Sequence, residues 1–266
     1  MPRISVIIPC YNQGAWLDEA VDSVLSQSYR DFEIIIVNDG SSDDQTKSLL
    51  SGYDKPLTRV IHTTNQGLAM ARNNGIREAA GTYLLTLDAD DRIGPAYMEK
   101  AVAVLDREPA TGIVYCQAET FGAVNGPWFA APYTLRRMLM GNLIFCAAFF
   151  RKSAWEAVGG YDRAMVAGYE DWNFWLSLIE QGAQVHRIPE VLFSYRVKEV
   201  SMATSMDWRK KTDMHHLIMQ RHQDLYIRNL RPLLELYYRI TCSTPYRLLK
   251  KIGLPTWLSR ISGGSW

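Results

Sequence analysis

Asp88 and Asp90 stand two residues apart, directly after the apolar run Tyr83–Leu87. In an extended chain, side chains two apart point the same way. Carboxylates so placed repel each other unless a cation joins them. Hard oxygen donors with room left for water and phosphate suit Mg2+ or Mn2+. A metal held there can bridge a diphosphate and neutralise a leaving phosphate. The competing reading is a solvated turn or a helix cap. Other strand-like runs also end in polar groups: Tyr11 and Asn12 close the first, Asp39 the second and Asn65 the third. Loops are polar by default, so it is the repeated Asp and Asn at successive run ends that resembles a site. Further on, Glu170 and Asp171 open a run with Trp172, Trp175, Leu176 and Ile179 on its other face. At a helix N-terminus the dipole keeps such carboxylates ionised.

These groups need a frame to bring them together. Arg3–Pro9 reads as a strand stopped by Pro9, and residues 14–27 carry a helical apolar stripe. Phe32–Val37 reads as a strand buried on both faces, followed by a turn cluster at 38–43 that caps the next helix. Thr58–His62 is a third strand, a helix runs from Asn65 to Ala80 and stops at Gly81, and Tyr83–Leu87 is a fourth strand. Strand and helix alternating through short loops predict right-handed crossovers and an open, mostly parallel sheet. Such sheets bind ligands at the carboxyl ends of their strands, where the polar groups fall. Beyond residue 112 the pattern predicts strands at Ile113–Gln117 and 143–150, a loop at 121–133 and a helix over Gly168–Gln181. Val185–Ile188 and Val191–Tyr195 read as short strands around Pro189. Residues 207 to 240 read as helical with Pro232 interrupting, ahead of a short basic amphipathic piece.

Composition removes several classes. Of 266 residues 47% are hydrophobic and 21% charged, so the chain is a folded protein and not a disordered one. Cys10, Cys116, Cys146 and Cys242 show no Cys-x-x-Cys spacing, which argues against a disulfide framework or a thiolate zinc site and fits a reducing compartment. The longest apolar stretch considered, Leu143–Phe150, is far short of the roughly 20 residues of a membrane span. Met1-Pro2-Arg3 and the short run after it do not make a signal peptide. No Gly-x-Gly-x-x-Gly or phosphate-loop pattern appears, which disfavours a dinucleotide oxidoreductase or a P-loop kinase. The net charge of +1 conceals an asymmetry: residues 1–206 hold 18 Lys/Arg and 24 Asp/Glu, residues 207–266 hold 11 and 4. An acidic body is not a nucleic-acid binder. The basic, aromatic tail either packs on the body or meets an anionic lipid surface. The expected organisation is a domain at 1–206, in two halves 1–111 and 112–206, and a basic helical extension at 207–266.

Several motifs occur in order. They are Val6-Ile7-Ile8-Pro9-Cys10-Tyr11-Asn12; Ile36-Val37-Asn38-Asp39-Gly40-Ser41-Ser42-Asp43; Asn65-Gln66-Gly67 with Ala71-Arg72-Asn73; and Leu87-Asp88-Ala89-Asp90-Asp91. Val158-Gly159-Gly160-Tyr161-Asp162 and Gly168-Tyr169-Glu170-Asp171-Trp172 follow. Together they resemble the family 2 inverting glycosyltransferases of GT-A fold, over about residues 3–200. The resemblance implies an α/β protein of GT-A type, with a Rossmann-like, mostly parallel central sheet flanked by helices and a helical C-terminal extension.

It also implies roles. Pro9, Tyr11 and Asn12 would line the base and ribose of a nucleotide-sugar, and Asp39 would read the N–H of a uracil or guanine. Asn65 joins this donor set, and Arg72 and Asn73 lie near the nucleotide. Asp88 contacts ribose or metal, and Asp90 is the principal ligand of Mn2+ or Mg2+. Asp171, with Glu170 beside it, is the general base. Rival roles stay open: Asp39 as a helix cap, Arg72 as a surface partner of Glu78 or Asp44, and Trp128, Trp155, Trp172 and Trp175 as packing and not sugar platforms. The chain departs from some relatives in having no His in the segment Phe193-Ser194-Tyr195-Arg196-Val197-Lys198, where Arg196 or Lys198 stands ready to contact phosphate instead. The implied activity is metal-dependent hexosyl transfer with inversion, from a UDP-sugar to a glycan or lipid-linked acceptor. It would serve cell-surface polysaccharide synthesis, including lipopolysaccharide, in the cytoplasm at the inner face of the plasma membrane. The alternatives are a nucleotidyltransferase or a non-catalytic nucleotide-sugar-binding relative.

Overall fold

A strand buried on both faces must be apolar almost throughout, and β1 (Ile4–Cys10) is: every one of its residues is buried. It lies between two parallel neighbours, β2 (Phe32–Asp39) and β4 (Tyr83–Thr86), with Ile7 opposite both Ile35 and Thr86. β1 continues through Pro9, where the sequence predicts a stop. The reason is local. Pro9 shares the parity of Ile7, whose carbonyl accepts from Leu87 N on the β4 side, and β4 ends before it would need an N–H from residue 9. β3 (Thr58–Thr63) pairs with β2 and is half-buried, as an edge strand should be. The computed structural model describes residues 1–128, 131–198, 207–244 and 246–247.

Beyond β4 the sheet is mixed. The remaining strands are β5 (Arg92–Ile93), β6 (Thr111–Gly122), β7 (Gly126–Trp128), β8 (Phe149–Arg151) and β9 (Gln184–Val197). The spatial order is β3-β2-β1-β4-β8-β6-β9-β5, with β7 on β6. β8 runs antiparallel to both β4 and β6, while β6 and β9 are parallel. Two expectations are corrected here. The strand predicted over 143–150 is only three residues long, because the chain before it gives its carbonyls to side chains: Ile144 O to Trp175 Nε1, Cys146 O to Thr86 Oγ1 and Ala147 O to Tyr97 Oη. A loop so satisfied can be buried without a ladder. The two short strands around Pro189 are one strand. The register jumps from Cys116↔Ile188 to Gln117↔Val191, so a bulge absorbs Pro189 and Glu190.

Helices accompany the sheet: α1 (Gly14–Leu25), α2 (Asp44–Ser51), α3 (Leu68–Glu78), α4 (Tyr97–Arg107), α5 (Leu135–Met138), α6 (Lys152–Val158) and α7 (Glu170–Glu180), with α8 (Trp208–Arg221) packed on α7. α3 packs so closely that a Cβ on Gly75 would lie 2.4 Å from Ile7 Cγ2 and 2.8 Å from Val37 Cγ2. The chain divides into two compact units, Met1–His222 and Gln223–Trp266. The second holds α9 (Gln223–Arg228) and α10 (Leu230–Thr241), with Pro232 accommodated in the first turn of α10. No described helix is long and apolar enough to cross a membrane. The basic amphipathic piece expected near the end lies mostly outside the described residues.

Candidate active site

The ends of β1, β2 and β3 are knitted into one rim. Asn12 sits in the left-handed region at φ 56°. Its side-chain carbonyl accepts from Ser42 N and Asp43 N, which ties the first loop to the second. Asp39 accepts from Thr63 Oγ1, Gln66 N and Gly67 N, and is 3% exposed. It therefore shapes the loop of Asn65, while Asp43 does the capping of α2 through Thr46 N. Two carboxylate oxygens offer about four acceptor sites, so Asp39 keeps room for one more donor. Gly40, at φ +68°, allows the loops to meet: a Cβ there would stand 2.6 Å from Asn65 N. Tyr11 and Asn65 are exposed at this rim, while Pro9 is buried behind it.

Arg72 is the centre. It is 1% exposed, not on a surface, and pairs with neither Glu78 nor Asp44. Its Nη2 holds Asp88 Oδ1 at 2.7 Å and its Nη1 holds Glu170 Oε1. Burial works against the guanidinium charge, but Asp88 and Glu170 raise its pKa well above the usual value. One cation thus joins the end of β4 to the start of α7. Asn73 points elsewhere: its Nδ2 donates to Tyr161 O, and its Oδ1 accepts from Tyr161 N and Trp155 Nε1. It pins the Gly159-Gly160-Tyr161 turn instead of facing the rim.

After β4 the chain turns, with Asp91 N bonded to Asp88 O, so the period-two expectation for Asp88 and Asp90 is corrected. Asp88, Asp91 and Cys146 bring ligand atoms within 4.8 Å of one another, while Asp90 Oδ2 pairs with Lys198 Nζ at 2.6 Å. Burial and the nearby Asp88 charge push the carboxyls of Asp90 and Asp91 up. That is surplus negative charge of the kind a dication relieves. The carboxylates fit hard Mg2+ or Mn2+. The Cys146 thiol does not, because burial and then Asp88 raise its pKa well above the usual value and keep it protonated.

Asp171 lies one residue into α7. Its Oδ2 accepts from Asn142 Nδ2 at 2.9 Å and its Oδ1 from Trp172 N at 2.7 Å. Burial first, then the Glu170 charge, pushes its carboxyl up to about 7, against the pull of Arg72. A carboxylate with that affinity can take a proton from an alcohol in a transition state. Asn142 carries no motif, and only the fold reveals it. Trp172 and Trp175 are buried, at 1% and 0% exposure, with indoles bonded to Met138 O and Ile144 O, so both are packing and not sugar platforms. Trp128 keeps an exposed face beside Tyr195. A polar cavity of about 580 Å³ is lined by Asn73, Arg77, Asp162, Arg221 and His222; Asp88, Asp90 and Asp171 do not line it.

Comparisons with known proteins bear on the family and the fold. The family described as Glycosyl transferase family 2 matches residues 5–158, and Glycosyl transferase family group 2 matches residues 83–262. A Bacillus subtilis protein named as putative teichuronic acid biosynthesis glycosyltransferase TuaG is 31% identical over 221 residues, 79% of this chain and 86% of that one. An uncharacterized Haemophilus influenzae glycosyltransferase is 31% identical over 186 residues, covering 67% of this chain and 62% of the relative. A Sinorhizobium fredii protein, y4gI, is 32% identical over 77% of this chain, which spans only 23% of that relative's length. Among solved structures, S. aureus TarS 1-349 in complex with UDP-GlcNAc gives a TM-score of 0.69 at 19% identity, covering 83% of this chain and 66% of that one. Its complex with UDP also gives 0.69, at 17% identity over 97% of this chain and 78% of that one. At such identity the likeness is one of fold.

Proposed function

Because the chain belongs to glycosyl transferase family 2, we propose that it moves a sugar from a UDP-sugar to a hydroxyl of a glycan or lipid-linked acceptor, with inversion, in cell-surface polysaccharide assembly. One observation carries the reading. Asp171, with an affinity suited to a general base, is fixed through the Glu170–Arg72–Asp88 chain to the strand ends where such folds bind nucleotides. The UDP and UDP-GlcNAc named with TarS and the teichuronic acid named with TuaG support the donor and the pathway class.

The chain's own groups account for the steps. Tyr11, Asn12 and Asn65 form the rim for base and ribose, with Pro9 buried behind them, and Asp39 offers its free acceptor site to the uracil N–H. Asp88 and Asp90 would hold Mn2+ or Mg2+, which would supply positive charge for the departing diphosphate. Asp171, oriented by Asn142, accepts the acceptor's hydroxyl proton. The freed oxygen forms its bond to the anomeric carbon from the face opposite the nucleotide, and the bond from that carbon to the phosphate oxygen breaks. Glu170 is held by Arg72 and acts by position, not by proton transfer. The work is done in the cytoplasm at the inner membrane face.

The test is a panel of UDP-sugars with glycan and lipid-linked acceptors, read as nucleotide release, with Mn2+ and with EDTA. The expected result is UDP release with one donor, abolished by EDTA. Asp171→Asn should keep donor binding and lose turnover by about 100- to 10,000-fold. Release of pyrophosphate, or near-normal turnover in Asp171→Asn, overturns the reading.

A further inference from the structure

Asp90 is not waiting with a bare carboxylate. Lys198, at the end of β9, places its Nζ 2.6 Å from Asp90 Oδ2 and 4.6 Å from the centre of the Trp16 ring. The two side chains are only 21% and 12% exposed, so water screens the pair poorly. The strand behind Lys198 is fixed: Arg196 N donates to Asp91 Oδ1, Arg196 Nε donates to Asp90 O, and its guanidinium pairs with Glu19 and lies over Phe121. Lys198 itself has a flexible stem and a compact ammonium, held among the described residues by the Asp90 ion pair and the face of Trp16. It can leave Asp90 without disturbing the strand.

We propose that Lys198 is an internal counter-cation that occupies the Asp90 ligand position in the free protein and yields it to a divalent cation only when a diphosphate arrives, so that metal and nucleotide bind interdependently. The inference rests on the donor reading above for the diphosphate, and on the ion pair for the competition. A dication on Asp90 must displace an ammonium from a partly buried carboxylate. Without nucleotide, the displaced ammonium is left beside the metal with no phosphate to face, and like charges repel. With nucleotide, phosphate oxygens accept it, and the metal meets the same diphosphate. Each ligand then lowers the cost of the other by the same factor, since coupling between sites is reciprocal.

The test measures Mn2+ binding directly, by the electron-spin signal of free Mn2+, with and without UDP, while calorimetry follows UDP. The proteins are the wild type, Lys198→Met, which keeps an apolar stem over Trp16, and Lys198→Arg, which keeps the charge. In the wild type UDP should tighten Mn2+ by about tenfold or more. Lys198→Met should bind Mn2+ alone about tenfold more tightly than wild type, with the UDP effect reduced to about threefold or less; Lys198→Arg should keep wild-type coupling. Lys198→Met binding Mn2+ no more tightly than wild type, or showing undiminished coupling, overturns the proposal, as does failure of all three to bind Mn2+. Absence of UDP binding overturns the donor reading instead, and tighter Mn2+ in Lys198→Met would still support the competition at Asp90.

Discussion

A carboxylic acid in water would be almost fully ionised at neutral pH and a weak base for an alcohol. Asp171 differs because burial and Glu170 oppose its charge and bring it up to about 7. Only the deprotonated form accepts a proton, so kcat/KM should rise with pH through a limb centred near 7. Asn142 donates to the carboxylate and so favours its charged form. Asn142→Ala should therefore move that limb to higher pH and lower the rate at pH 7, as a pH–rate series would show. Arg72 raises a different matter, because it neutralises two carboxylates where little water reaches. Arg72→Met leaves Glu170 and Asp88 facing each other, and uncompensated buried charge costs about 3–5 kcal/mol. Urea unfolding should show a loss of that order, and Arg72→Lys should recover only part of it, since one ammonium cannot reproduce the two-sided fork. Asp39, Asp88, Asp90, Glu170 and Asp171 stood out as candidates in the sequence because they sit in short motifs at strand and helix ends, whereas Asp91, which the fold sets beside Asp88, did not. The roles of Arg72 and Asn73 were not legible there. Arg72 meets Glu170 across 98 residues of chain, and nothing local says that Asn73 turns toward Tyr161.

Elements aim these residues, and α3 lies close against the sheet. Gly75 is the residue that permits it. Helix propensity alone predicts that Gly75→Ala stabilises by about 1 kcal/mol. The added methyl would meet buried methyls of Ile7 and Val37 at 2.4 and 2.8 Å, and overpacking of this kind costs about 1–3 kcal/mol. The clash should win, giving a net loss of up to about 2 kcal/mol in urea unfolding. β1, β2 and β4 were readable because each is a short apolar run closed by turn residues, and β3 because Val60 and Ile61 stand in a short run that ends ahead of Asn65-Gln66-Gly67. β8 and β9 were not. Apolar residues before Phe149 look like strand although their carbonyls go to Trp175, Thr86 and Tyr97, and Pro189 looks like a break although a bulge carries the strand past it.

At the scale of the molecule, the charge step at 206/207 and the division between compact units at 222/223 differ by one helix. α8 belongs with the first unit on contacts. Ile218 is fully buried, His215 packs edge-on to Trp172 with ring centres 4.6 Å apart, Arg221 pairs with Asp162 at 2.9 Å, and His222 bridges Glu180 and Asn173 at 2.7 and 3.1 Å. The helix so covered, α7, carries Asp171. The second unit has another character. It holds 7 Lys/Arg against 2 Asp/Glu, and Ile227, Leu230, Leu234 and Tyr238 fall at helical spacing on an exposed face beside Arg231 and Arg239. Apolar and aromatic residues flanked by arginine suit an anionic lipid surface. Two truncations separate the roles. Protein ending at residue 206 loses the buried Ile218 and the partners of Trp172, Glu180 and Asn173, and should lose about 3–5 kcal/mol of stability. Protein ending at residue 222 should keep its unfolding midpoint and its donor binding, yet float with anionic liposomes far less than the full chain. Equal flotation of the full chain and the 222-residue form would remove the lipid role from α10, and a stable 206-residue form would show that α7 holds its place without α8.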